Sequence, residues 1–315
     1  SSRRRHTRYI SVTGVQTCAL PISTVTVGTG VPTPTVSISP ASVCSGVTAT
    51  LTATPANLTP TANNYSFSTG TGLSLLAPTF GSTIVALSND DLASAVQSIG
   101  FNFVYEGVTY TQFSTSSNGQ LRLGSTQISN AWTNVMSSTA DVPALFPMWD
   151  DLNSSTNGGV VVGTYGSSPN RILVIDYKLF NTSTASAYNI NFQVWLYEGT
   201  NEIKFVYGAG TSPVSFSCGI GGATASNFIS VTTSSNTSSN VTANDANATW
   251  PGSGRYYSFI PPPNYTYSWS PSTFLTSTST QTTTATGVNA TTVYTVTLSN
   301  GTCSNTASST LTYVT

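Results

Sequence analysis

Residues 144–152 read ALFPMWDDL, residues 170–180 NRILVIDYKLF and residues 189–208 NINFQVWLYEGTNEIKFVYG. Across this stretch, most clearly in NINFQVWLY, apolar and aromatic side chains alternate with polar ones, the period-two pattern of a strand that turns one face to a core. Gly199-Thr200-Asn201 interrupts the last run as a hairpin turn. These stretches predict strands of a β-sandwich, and they say more about architecture than about an activity.

Composition points the same way. Only 6% of the 315 residues are charged, against about 25% in an ordinary globular protein, so Ser, Thr and Asn must keep the surface wet. No extended helical periodicity occurs. The profile is that of an extracellular β-protein. Four of the nine basic residues (Arg3, Arg4, Arg5, Arg8) lie in the first 23 positions, leaving five basic against ten acidic side chains in the rest. A mildly acidic chain with no basic stripe argues against nucleic acid and against insertion into, or adsorption to, an anionic membrane.

Residues 1–23 differ from the rest of the chain. They hold the only His and one of the four Cys, and the apolar run near Val15 is broken by Gln16, Thr17 and Cys18, which is not a signal-peptide pattern. The segment resembles the translated read-through of a sequencing-library adapter. That resemblance implies a non-native, disordered stretch and a chain that is a fragment. Residues 24–34 read as the end of a preceding domain and a stiff Pro/Thr linker.

Residues 35–62 carry two short alternating strands, too few for a stable sandwich. Matching strands recur in residues 263–315. Laid end to end, the two pieces give SxxxxCSGxxxTLTA (39–53), YSWSP (267–271), TTxYTVT (291–297) and a Cys after the Asn300-Gly301 turn. This order resembles the immunoglobulin-like repeats of secreted proteins of the type IX export pathway. It implies one small sandwich interrupted by a long insert, residues 63–262. The insert opens and closes on a Tyr-Ser-Phe triplet (65–67 and 257–259), and pairing of these two strands would bring its ends together, as insertion requires. The resemblance also implies a Cys44–Cys303 disulfide, since both are landmarks of one repeat in an oxidising compartment.

Inside the insert, the set GFNFVYEGVTYTQFSTSSNGQLRLG (100–124), ALFPMWDDL, NRILVIDYKLF, the 189–208 run and YYSFIPPP (256–263) resembles a β-sandwich module of cell-surface proteins, distantly similar to the nidogen-type extracellular domain. The expected fold class is therefore all-β, an immunoglobulin-like sandwich with a larger inserted, jelly-roll-like sandwich. The expected location is the outer surface or beyond it, and the expected role a non-enzymatic adhesion or structural module with an extracellular glycan or protein partner. The alternative is a carbohydrate-binding accessory module of a secreted hydrolase.

Few residues carry chemistry. No His follows residue 6, which removes a Ser-His-Asp triad and histidine metal sites from the native-like part. Asp150 and Asp151 are the calcium candidate, two adjacent carboxylates beside Asn153 and Ser154 oxygens. Their structural reading is a turn carboxylate plus an ion pair to Arg122 or Arg171. No catalytic residue is assigned. Trp149 and Trp195 read as core, Trp250 beside Pro251 as the exposed platform for a glycan, and Cys218 as a buried free thiol.

Overall fold

The computed structural model describes residues 31–77, 81–86, 89–154, 158–181, 189–213 and 215–315. The adapter-like segment, and the linker as far as residue 30, lie outside the described residues. Among the described residues every regular element is a strand except two single turns of 3-10 helix, Ala62–Asn64 and Met136–Ser138, and no helix is long and apolar enough to cross a membrane. The fold is an all-β sandwich, with two compact units: residues 31–55 with 265–315, and residues 56–264.

In the first unit Ala49–Thr54 is flanked by Thr35–Ser39 and by Thr282–Ala285, so strands more than two hundred positions apart share one sheet. A second sheet runs in the order Ser42–Val43, Ser304–Tyr313, Thr292–Ser299, Thr266–Ser270. Alternation decides which side chains meet between them. Ala49, Leu51 and Ala53 from one sheet pack with Trp269, Tyr294, Val296 and Leu298 from the other. Each such large apolar side chain contributes about 1.5–3 kcal/mol on burial.

The register of this unit corrects the expected disulfide. Ser42–Val43 pairs with the far end of the Ser304–Tyr313 strand, Ser42 opposite Thr312. Cys44 therefore follows the end of that strand, whereas Cys303 immediately precedes its start. The ten residues of that strand, at about 3.3 Å each, set the two cysteines at least roughly 30 Å apart, and a disulfide needs Cα atoms within about 7 Å. Both are free and exposed, and Cys218 is free and buried.

In the second unit a seven-stranded sheet runs Thr237–Ser239, Phe228–Thr232, Ser217–Gly221, Ala144–Trp149, Leu121–Leu123, Val108–Thr115, Gln97–Tyr105. The larger sheet runs Ser66–Gly70, Tyr256–Ile260, Ile203–Tyr207, Ile190–Tyr197, Ile172–Asn181, Leu152–Ser154, Asn89–Asp90, with Gly159–Tyr165 and Ser82–Val85 joined at its side. Its first two strands are antiparallel and set Phe67 opposite Phe259, which closes the unit on itself. Phe192, Val194 and Leu196 point inward to meet Phe103, Phe113, Leu145 and Met148.

Glu106-Gly107 makes the tight hairpin between Gln97–Tyr105 and Val108–Thr115: both residues have positive φ, 53° and 76°, as a two-residue turn matched to strand twist requires. The Glu106 carboxylate accepts hydrogen bonds from Ala62 N at 2.7 Å and Ala223 N at 2.6 Å. Those bonds tie the entry of the unit to a loop of the seven-stranded sheet.

Both tryptophans assigned to the core are buried, but on the outer faces of the sheets. Trp149 stacks on Phe146 at 5.0 Å beneath the segment around Met136. Trp195 is covered by Leu73, Leu75 and Leu76. That second cover is held by Gln193, whose carboxamide accepts from Leu76 N at 3.0 Å and donates to Leu76 O at 2.7 Å, as a neighbouring strand would.

Burial pushes the Cys218 thiol up to about 12, which leaves it protonated and unreactive at neutral pH. Iodoacetamide added to native protein without reductant is expected to modify Cys44 and Cys303 and to spare Cys218 until denaturant is present. Recovery of a cross-linked Cys44–Cys303 peptide would contradict the register.

Candidate functional site

The region richest in chemistry lies at one end of the second unit, where the loop 114–120 meets the segment after Trp149. That loop reads STSSNGQ, and all seven residues are buried although six are polar. Burial of so many polar groups is tolerated only if they are hydrogen-bonded. Asn118 shows how. Its Oδ1 accepts from Leu152 N at 3.0 Å, and its Nδ2 donates to Asn130 O at 3.0 Å and to Asp91 Oδ1 at 2.8 Å. One carboxamide thus joins three segments that are distant in sequence. Gly119, with φ 72°, packs so closely that an added Cβ would sit 2.1 Å from Met148 O. Only glycine satisfies both demands.

Around this turn the structure assembles carboxylates that the sequence separates. The carboxylate oxygens of Asp90, Asp91 and Asp151 lie within 4.8 Å of one another. Strand pairing causes it, because Asn153 stands opposite Asp90. Burial, then the neighbouring charges of Asp91 and Asp151, hold Asp90 above the usual carboxylate range. These are hard oxygen donors of the kind Ca²⁺ takes. The calcium pair expected from sequence is therefore corrected in part: Asp151 belongs to the cluster and Asp150 does not. Burial, with a smaller push from Asp151, raises Asp150 to about 6. Neither Asp pairs with Arg122 or Arg171 through a salt bridge, because Arg122 is paired with Asp141 at 3.3 Å and Arg171 with Glu198 at 2.7 Å. Glu198 and Glu202, which flank the Gly199-Thr200-Asn201 turn, are both engaged, Glu202 with Lys204 at 3.0 Å.

Beside the cluster, segment 128–141 crosses the outer face of the seven-stranded sheet. It is pinned from below at several points. Ala131 O accepts from Trp149 Nε1 at 2.9 Å and from Gln120 Nε2 at 3.0 Å. Asn134 O accepts from Ser217 Oγ at 2.7 Å, and Met136 N donates to Asp245 Oδ1 at 3.1 Å. Ser129 N donates to Asp141 Oδ1 at 3.0 Å. The segment frames a pocket of about 290 Å³ floored by Trp149. A second cleft of about 360 Å³, at residues 72–75, 207–208 and 253–254, is lined by no acidic or basic side chain.

Trp250 is not the exposed platform expected from its Pro neighbour. It is half-buried, lies over Gly210, meets the Tyr207 ring edge-on at 5.8 Å and donates from Nε1 to Gly208 O at 3.3 Å. Trp132 takes that place at 56% exposure. Nothing in the local sequence separates the two. The missing information is that Gly210 offers Trp250 a flat backbone to cover.

The raised Asp150 has a pH consequence. A carboxyl that holds its proton more tightly in the folded state opposes folding once it ionises, so its destabilising effect is absent near pH 4, grows through pH 6 and is complete above it. Asp150→Asn removes that effect while keeping the shape. The variant is expected to melt a few degrees above wild type at pH 8 and level with it at pH 4, measured by circular dichroism. Equal melting at pH 8 would contradict the assignment.

A family model described as NIDO related matches residues 64–261, more than half of the chain. No curated protein and no solved structure matches. The matched span runs from the residues just before the Ser66–Gly70 strand to the residue just after Tyr256–Ile260, and so takes in the whole sandwich of the second unit. The chain belongs to the NIDO-related family, and its second unit is a nidogen-like module.

Proposed function

We propose that this chain is an extracellular, non-enzymatic module of adhesive or structural type within a larger secreted or cell-surface protein. The observation that carries the reading is the NIDO-related match across the entire second sandwich. The hydroxyl-rich, charge-poor composition agrees with it. So does the engagement of the one carboxylate in the wall of the 290 Å³ pocket, since Asp141 already binds Arg122 and Ser129. A general acid or base needs a free carboxyl within reach of its substrate. The order of the SxxxxCSGxxxTLTA, YSWSP and TTxYTVT motifs supports an immunoglobulin-like first unit and export by the type IX route. The alternative, a glycan-binding accessory module of a secreted hydrolase, is favoured by one specific observation, the exposed Trp132 between two residues that line that pocket.

Surface-plasmon measurement on immobilised extracellular matrix glycans and glycoproteins separates these roles from catalysis. Residues 31–315 are expected to bind saturably and to wash off leaving the immobilised mass intact. Absence of saturable binding, or progressive loss of that mass under the protein, would overturn the proposal.

A further inference from the structure

The pocket framed by segment 128–141 is built in two layers of opposite character. Its lower layer is fixed: the Trp149 indole, 1% exposed, is the floor and is itself hydrogen-bonded to Ala131 O. Its upper layer is open. Thr133 and Ser138 line the wall, are exposed, and their hydroxyls make no hydrogen bond within the described residues. Ala131, Val135 and Ala140 set methyl groups between them. Trp132 stands in the chain between the lining residues Ala131 and Thr133 and leaves an indole 56% exposed, next to an Ala131 carbonyl that is pinned twice.

We infer that this pocket is a binding site for a single neutral pyranose ring at the end or branch of a glycan, with Trp132 as its stacking platform and the Thr133 and Ser138 hydroxyls as its polar contacts. It rests on the extracellular binding role proposed above and names the ligand class for it. Three arguments choose that ligand. The first is charge. Asp141 is the one acidic or basic side chain in the wall, and its oxygens are taken by Ser129 and by Arg122. A cation meets no free carboxylate there and an anion meets no free guanidinium, so a neutral ligand is selected.

The second is pattern. A wall that alternates methyl groups with hydroxyls matches a molecule that alternates C–H and O–H around a ring, and it leaves a plain hydrocarbon facing unpaired hydroxyls. The third is size. About 290 Å³ lies at the lower edge of ligand pockets, roughly 300–1,000 Å³, which suits one ring rather than an extended chain. The pinned segment adds preorganisation, since little loop entropy is lost on binding.

The test uses the five indole N–H signals of the chain (Trp132, Trp149, Trp195, Trp250, Trp269) in nitrogen-15 NMR of residues 31–315. The probes are the methyl pyranosides of glucose, galactose, mannose, xylose and N-acetylglucosamine, each titrated through the millimolar range. The expected result is a saturable shift of the Trp132 and Trp149 signals with at least one sugar, and none at Trp195, Trp250 or Trp269. Trp132→Ala is expected to weaken that binding about tenfold or more, and Thr133→Val with Ser138→Ala to weaken it severalfold. Trp132, Thr133 and Ser138 are all exposed, and the melting temperature of each variant shows that it folds. No shift at Trp132 and Trp149 with any of the five sugars overturns the inference, as does undiminished binding by Trp132→Ala. Matrix binding that persists without any sugar response leaves the extracellular role standing and removes only this site.

Discussion

The peptide at Gly119 passes so near Met148 that no side chain fits between them, and the Asn118 carboxamide beside it spends both of its ends on neighbouring segments. This contact sets the position of the loop 114–120 against the Ala144–Trp149 strand. From there it sets the start of the Leu152–Ser154 strand, the segment that carries Asn130 and Ala131, and the side chain of Asp91. Acid cluster and pocket are two sides of one hydrogen-bonded turn. A buried amide in such a place rigidifies its surroundings because leaving any of its partners unpaired costs about 1–3 kcal/mol.

The chain has few charges with which to hold such a turn. Its ion pairs among the described residues are Arg122–Asp141, Arg171–Glu198, Lys178–Asp176 and Lys204–Glu202. Carboxamides take over elsewhere, and two of them cover the outer faces of the sheets. Gln193 fastens residue 76 over Trp195, and Gln120 helps fasten Ala131 over Trp149. Those covers explain why both faces of strands such as Ala144–Trp149 are buried. They turn a two-layer sandwich into one with apolar patches sealed on its outside, and the seal over Trp149 is also the wall of the pocket.

Strand positions and hairpins are legible in the sequence because they depend on neighbours two to six residues away. The alternation in NINFQVWLY and the Glu106-Gly107 turn are of that kind. The acid cluster is not legible, because Asp90 and Asp151 are sixty-one positions apart and only the Asn153–Asp90 register unites them. The calcium reading therefore falls on adjacent Asp150 and Asp151, although only Asp151 joins the cluster. The choice between Trp132 and Trp250 fails for a related reason: exposure depends on what the rest of the chain lays beside an indole. The disulfide rests on landmarks of a repeat, whereas strand register decides distance, and here it places the thiols at opposite ends of one strand.

Hydrogen exchange on Asn118→Ala tests most directly whether this one turn holds the site together. Loss of the carboxamide is expected to release the Leu152 amide and the Trp149 indole proton to rapid exchange, while the amides of Ile190–Tyr197 in the larger sheet stay protected as in wild type. Unchanged protection at Leu152 and Trp149 would show that the site is held by other contacts and would contradict the account.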